Sequence, residues 1–321
     1  MGLRVLKFVL FTWLIFVATA QSEAAFAATQ VPSAKHENSK QPESAKSPAL
    51  WKIVNGKSTV YFLGSVHVLP AGFAWKTPAI DQVIQSADVF AFETNLDFGT
   101  AEFDYFMDNH GYLPRGQTLH QLLSPPAREK YFTLVQTMHV DPNRVDYLQP
   151  GVAALFLDRT LVAAHASQPL VPGVDDQMSR YAKAHGKQLL YLESLQSQLD
   201  VLMKLGGGAG VAVLEKKLLS DDKGGNEYQT MLAAWAVGDL PKLMSMDDMD
   251  PKERVLMLDN RNRAWISKIE AMLNTPASYL VTVGAAHLAG PNSVISLLCA
   301  KHWKVERIQT GATPSPRACG T

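Results

Sequence analysis

Apolar positions along this chain follow two periods. Short, nearly continuous apolar runs occur in Thr59–Gly64 (TVYFLG), Asp88–Glu93 (DVFAFE), Gln188–Glu193 (QLLYLE) and Tyr279–Val283 (YLVTV). Runs of this length without alternation predict strands buried on both faces. Trp51–Val54 and Ser58–Leu63 flank Asn55-Gly56, a pair suited to the positive φ angles of a tight hairpin. Elsewhere the period is helical. Ile80, Val83, Ile84 and Ala87 recur at three and four positions behind Thr77-Pro78, a cap followed by proline at the first helical position. A second helix is expected from the turn Val171-Pro172-Gly173 through Ala184, closed by Gly186. Residues 100–170 and 194–273 read as helical. The first stretch is broken by Pro114, Pro125-Pro126, Pro142 and Pro150, the second by Gly206–Gly210 and Gly224-Gly225. Gly290–Cys299 opens a further helix and Trp303–Ile308 a last strand. Strands alternating with helices predict an α/β fold. It would have a mostly parallel central sheet, flanking helices and a large helical insertion, and be entered by the N-terminal hairpin.

The ends of the chain read differently. Arg4 and Lys7 precede the apolar run Phe8–Ala20, and small residues follow at Ala18-Thr19-Ala20 and Ala25-Phe26-Ala27. This is the pattern of a secretory signal peptide over residues 1–27, and the run is short for a membrane anchor. Residues 28–48 are rich in Ser, Pro, Lys, Gln and Glu and read as a disordered tether. The folded domain is expected over 49–310 and a flexible tail over 311–321. The expected location is the periplasm or the exterior, with no stable membrane insertion after cleavage.

Composition narrows the partners. The 321 residues carry 30 Lys+Arg against 30 Asp+Glu. No net basic field is present to hold nucleic acid. The only cysteines are Cys299 and Cys319, which excludes a four-cysteine metal site within one chain. They leave two alternatives: a bridge pinning the tail to a helix, or a buried free Cys299 with a loose Cys319.

The candidate chemistry lies at the strand ends. Each of the four buried runs finishes on, or just before, His67, Glu93, Glu193 or His287. In an open α/β sheet the carboxyl ends of the strands form the ligand-binding edge, so two imidazoles and two carboxylates are expected to converge there. Gly64-Ser65-Val66-His67 and Gly284-Ala285-Ala286-His287 repeat a G-x-x-H pattern in the same context. Histidine with carboxylate suits zinc, manganese or iron(II). Such a metal on His67, His287 and one glutamate would activate water while the other glutamate served as base. The same residues without a metal could still perform acid–base chemistry. Arg261, between Leu258 and Trp265 at helical spacing, leans toward the buried face. It would brace Glu93 or Glu193, or clamp an anionic substrate group. Asp175 and Asp176 follow Pro172-Gly173 at a helix start, where carboxylates help to cap. There is no H-E-x-x-H helix, P-loop or G-x-S-x-G elbow.

These residues in this order resemble the TraB/GumN family, related to the Tiki metalloproteases. The resemblance covers roughly 48–310. It is carried by Leu63–Pro70 (LGSVHVLP), Phe92-Glu93-Thr94, Gly173-Val174-Asp175, Gly186-Lys187, Leu192-Glu193, Arg261-Asn262 and Val283–Gly290 (VGAAHLAG). It maps the family's histidines onto His67 and His287 and its glutamates onto Glu93 and Glu193. It implies a metal-dependent hydrolase, of manganese or cobalt type in the Tiki relatives, acting on peptide bonds. More distant likeness to the erythromycin esterases implies a metal-free variant on a small-molecule substrate. The second motif reads GAAH where many members carry GAGH. A third expectation is a non-enzymatic envelope protein that binds a partner through its helical insertion.

Overall fold

The computed structural model describes residues 47–95, 101–137, 141–154, 157, 168–204, 208–219, 225–246, 249, 251–308 and 319. The expected signal peptide and nearly all of the tether and tail lie outside them.

The strands are β1 (Leu50–Asn55), β2 (Ser58–Ser65), β3 (Val68–Pro70), β4 (Val89–Phe92), β5 (Leu170–Pro172), β6 (Gln188–Tyr191), β7 (Ser278–Gly284) and β8 (Glu306–Ile308). Six of them form one sheet in the order β6-β4-β7-β2-β1-β8. β6, β4, β7 and β2 pair in parallel, and β1 lies antiparallel between β2 and β8. The fold is therefore α/β with a mixed, mostly parallel sheet. The hairpin turns on Gly56, whose φ of 57° lies in the left-handed region that glycine adopts at no steric cost.

The helices packed on the sheet are α1 (Pro78–Ser86), α2 (Val174–Ala184), α3 (Gly225–Ala236), α4 (Asn260–Leu273) and α5 (Val294–Ala300). One face buries Trp51, Phe62 and Val281 against Trp265, Ile269 and Leu298 of α4 and α5. The other buries Leu63, Phe90 and Leu280 against α1, α2 and α3. Thr77 caps α1 as expected, its hydroxyl accepting from the Ile80 amide at 3.4 Å.

Further helices, Leu119–Leu122, Pro125–Thr137, Pro142–Val145 and Gly208–Leu219 among them, share a separate apolar cluster around Tyr131, Leu148 and Leu214. The segments after β4 and β6 thus pool their apolar faces away from the sheet.

Three details depart from the sequence reading. β6 is an edge strand and only partly buried, because it pairs with β4 alone. Leu170–Pro172 is a short strand, antiparallel to β3, where a turn was expected. Gly208–Gly210, part of the stretch expected to interrupt the helices, are themselves helical and open the helix Gly208–Leu219. The cysteine alternatives resolve to a Cys299–Cys319 disulfide with Cα atoms 5.7 Å apart.

Candidate active site

The register brings the four motif-bearing strands to one edge. Ser65, last in β2, lies opposite Gly284, last in β7, so the two G-x-x-H segments leave the sheet side by side. The backbone ladder between β4 and β6 runs one residue further, with the Glu193 amide donating to the Glu93 carbonyl at 2.8 Å. The two glutamates therefore leave the sheet at one level.

Arg261 occupies the centre. The helix preceding α4 contains a π-turn, Val255–Asp259, which buries Leu258 and Asp259 just before the buried Arg261 and Asn262. Such turns re-phase a helix and are frequent at functional sites. The Arg261 Nη2 donates to Glu93 Oε2 at 2.5 Å and to Glu193 Oε1 at 2.6 Å. Its Nε donates to Glu193 Oε1 at 3.0 Å, and Nη1 reaches the Met257 carbonyl at 2.9 Å and His287 Nε2 at 3.1 Å. Trp265 donates its indole N–H to Glu193 at 3.3 Å and lies against His287 with ring centroids 4.5 Å apart. Of the two roles open to Arg261, bracing is realised, and with both glutamates at once.

His287 is 3 % exposed. Its Nε2 faces an arginine N–H, so that nitrogen is an acceptor, and Nδ1 donates to Asn262 Oδ1 at 2.6 Å. Burial, together with Arg261 and His67 and against the pull of Glu93, lowers its pKa to about 4. The imidazole is neutral at neutral pH. At Glu93 burial favours the protonated acid, but His287, Arg261, His67 and the Gly284 amide outweigh it and bring the pKa to about 2. That amide donates to Glu93 Oε1 at 2.7 Å. A side chain at Gly284 would reach 3.2 Å from the same oxygen. Glycine in the second motif thus leaves room for a carboxylate, and its φ is not positive.

His67 stands apart from this buried group. Its side chain is 62 % exposed, and its Nδ1 lies 3.1 Å from Asp175 Oδ2. Asp175 was expected to cap α2, but Gly173 is the N-cap and the carboxylate turns to His67 instead. Gly173 makes this possible. Its amide donates to the His67 carbonyl at 2.9 Å, and a side chain there would run into the backbone of Val66 and His67. Sequence reasoning missed the Asp175 partnership, although Gly173-Val174-Asp175 was among the residues carrying the family resemblance.

The edge also gathers unsatisfied polar atoms. The buried hydroxyls of Ser65 and Thr94 and Asp175 Oδ1 have no hydrogen-bond partner, nor has Thr282, opposite Leu63 and Phe92. Buried polar groups left this way ordinarily meet water or a ligand.

The expected metal set can be tested on these donors. Among the described residues no three His, Cys, Asp or Glu side chains gather where they could hold a metal ion. Glu93, Glu193 and His287 Nε2 converge on the guanidinium of Arg261, and His67 is turned to Asp175. As arranged, the donor set fits a guanidinium rather than a metal.

The comparison with known families agrees with the paired motifs. A profile of the TraB/PrgY/gumN family matches residues 49–307. The chain belongs to this family. Among curated relatives it is similar to uncharacterized protein YbaP of Escherichia coli K12, 24 % identical over 258 residues, 78 % of this chain and 92 % of that protein. YbaP of Shigella flexneri matches to the same extent. No solved structure matches. The TraB/PrgY/gumN match spans β1 to β8, so His67, Glu93, Asp175, Glu193, Arg261 and His287 all fall within it.

Proposed function

We propose that this TraB/PrgY/gumN protein is an exported hydrolase of ester or peptide bonds in which the His67–Asp175 pair handles the proton. One observation carries the reading. His67 is the exposed imidazole at the strand-end edge and is backed by a carboxylate, whereas Glu93, Glu193 and His287 are locked onto Arg261. A carboxylate with a pKa near 2 is a weak base, and a neutral imidazole whose Nε2 accepts from arginine cannot take up a proton cheaply. Proton transfer therefore falls to His67. Asp175 fixes its Nδ1–H tautomer and stabilises the imidazolium that forms.

In this scheme His67 Nε2 takes a proton from water as the water oxygen bonds to the substrate carbonyl carbon. The proton then passes to the departing alcohol or amine as the bond to it breaks. Arg261 is a positioning residue that fixes the carboxylates and their field. The ester or peptide substrate would enter from the His67 side. The Cys299–Cys319 disulfide supports an oxidising location, consistent with export.

The test is hydrolysis of nitrophenyl esters and fluorogenic peptides by the purified mature chain, before and after chelation. Activity should survive chelation. It should fall about 100-fold or more in His67→Ala and about tenfold or more in Asp175→Asn, with a distorted pH profile. Activity that vanishes on chelation and returns with manganese, cobalt or zinc would instead favour the metal-dependent peptidase implied by the Tiki likeness. Absence of hydrolysis in every condition would favour the partner-binding alternative.

A further inference from the structure

On the face of the sheet opposite α4, the carboxyl ends of three neighbouring strands carry a row of hydroxyls. Ser65, Thr282 and Thr94 each follow a core residue by two positions, and those residues, Leu63, Leu280 and Phe92, pack under α1, α2 and α3. Alternation along a strand turns the three hydroxyls to that same face. β7 lies between β4 and β2, with Thr282 opposite both Phe92 and Leu63. Ser65 and Thr94 therefore stand one step further along on either side of Thr282. Ser65 is 3 % exposed, Thr94 4 % and Thr282 1 %.

The start of α2 closes over this row. Its Val174 and Met178 pack into the same core, and the Val174 amide donates to the Val66 carbonyl at 3.0 Å. Asp175 is the next residue. Its Oδ2 faces His67, and its buried Oδ1 has no hydrogen-bond partner among the described residues, nor have the three hydroxyls. A hydroxyl or carboxylate oxygen shut into a core without a hydrogen bond is costly. Valine or alanine would fill the same row without that cost, so packing does not account for the hydroxyls.

Their spacing points to what joins them. Positions offset by two on adjacent strands stand about 7–8 Å apart. That is too far for one hydroxyl to bond another, and about twice the reach of a hydroxyl to a water oxygen. Water offers donors to a carboxylate oxygen, which only accepts, and acceptors to the hydroxyls. We propose that Ser65, Thr282 and Thr94 hold buried water that donates to Asp175 Oδ1, which makes them positioning residues for the His67–Asp175 pair. With both its oxygens bonded, the carboxylate is held from rotating away from the imidazole Nδ1. The inference rests on the proton-transfer role proposed above for that pair, but the orientation of Asp175 is read without turnover.

The test uses the full mature chain and three variants. Thr282→Val keeps the shape and removes the hydroxyl, and Thr282→Ser keeps the hydroxyl. Ser65→Ala carries the test if Thr282→Val does not fold. A high-resolution crystal structure of the wild type should show water within hydrogen-bond distance of Asp175 Oδ1 and Thr282 Oγ1. Long-range proton–nitrogen correlation NMR at alkaline pH should show the neutral His67 ring in its Nδ1–H form. Thr282→Val should shift the ring toward the Nε2–H form that free histidine favours, and should lower kcat for nitrophenyl esters about tenfold or more with KM unchanged. Thr282→Ser should restore both. The same tautomer shift in a chain that hydrolyses nothing would support the water network and strike the reaction instead. The proposal is overturned if no water contacts Asp175 Oδ1, or if an alkali-metal ion takes that place, as rubidium exchange and anomalous scattering would show. It is overturned equally if the tautomer ratio is unchanged in both Thr282→Val and Ser65→Ala, or if Thr282→Ser behaves as Thr282→Val does.

Discussion

Arg261 satisfies four residues at once, and it biases the charge states of Glu93 and His287. Glu93 stays ionised beside the guanidinium, and His287 stays neutral because burial and Arg261 both oppose its proton. This makes stability depend on acid in a defined direction. His287 falls from its ordinary 6.5 to about 4, so below pH 6.5 the unfolded chain binds a proton that the folded chain refuses. Stability is complete above that pH and declines as pH drops toward 4. Glu93, lowered from 4.5 to about 2, extends the decline below pH 4.5, because its contribution is present only while it is ionised. Urea unfolding between pH 8 and pH 5 should show a progressive loss of about 2 kcal/mol at most from His287. His287→Gln should flatten that part of the curve, and an unchanged slope in the variant would place the linkage elsewhere.

Among the elements, α2 is the one whose approach builds the site. Gly173 lets its start touch the backbone of Val66 and His67, and the first turn then carries Asp175 to His67. Gly173→Ala should force the two segments apart and cost roughly 1–3 kcal/mol, measured by chemical denaturation. Activity should fall further than stability, since the His67–Asp175 distance is what changes. Wild-type activity in that variant would detach the dyad from the chemistry.

The same element shows what the chain discloses in sequence. The four strand ends and their shared edge were legible, because apolar runs closing on His67, Glu93, Glu193 and His287 need only a parallel sheet to meet. The inward lean of Arg261 was legible from Leu258 and Trp265 at helical spacing. The tie between Asp175 and His67 was not, since it depends on a close backbone approach 108 positions apart in sequence. The π-turn at Val255–Asp259 was hidden for a similar reason. A five-residue turn leaves no signature in hydrophobic spacing that a kinked α-helix would not also leave.

At the scale of the molecule, the C-terminal region is closed by chemistry as well as packing. Cys319 is bonded to Cys299 at the end of α5, and its sulfur lies 3.4 Å from the Trp303 carbonyl. A crosslink over 20 positions should stabilise by roughly 3 kcal/mol. Cys319→Ser should lower the free energy of unfolding by that amount, with a matching fall in the denaturation midpoint, and reductant should weaken the wild type equally. If reduction leaves the midpoint where it was, the bond contributes nothing beyond the packing around Trp303.

The pairing of β2 with β7 sets the order in which this protein can be made. Thr59 lies opposite Ser278, 219 positions later, and both strands sit in the middle of the sheet. A chain emerging from its N-terminus must hold the β1–β2 hairpin with one long apolar edge open until almost everything else has been synthesised. Parallel pairings at such separation close slowly, and open edges recruit other strands. The polypeptide should therefore remain unfolded and dependent on holding chaperones for most of its synthesis, a condition that also suits threading through a narrow translocation channel.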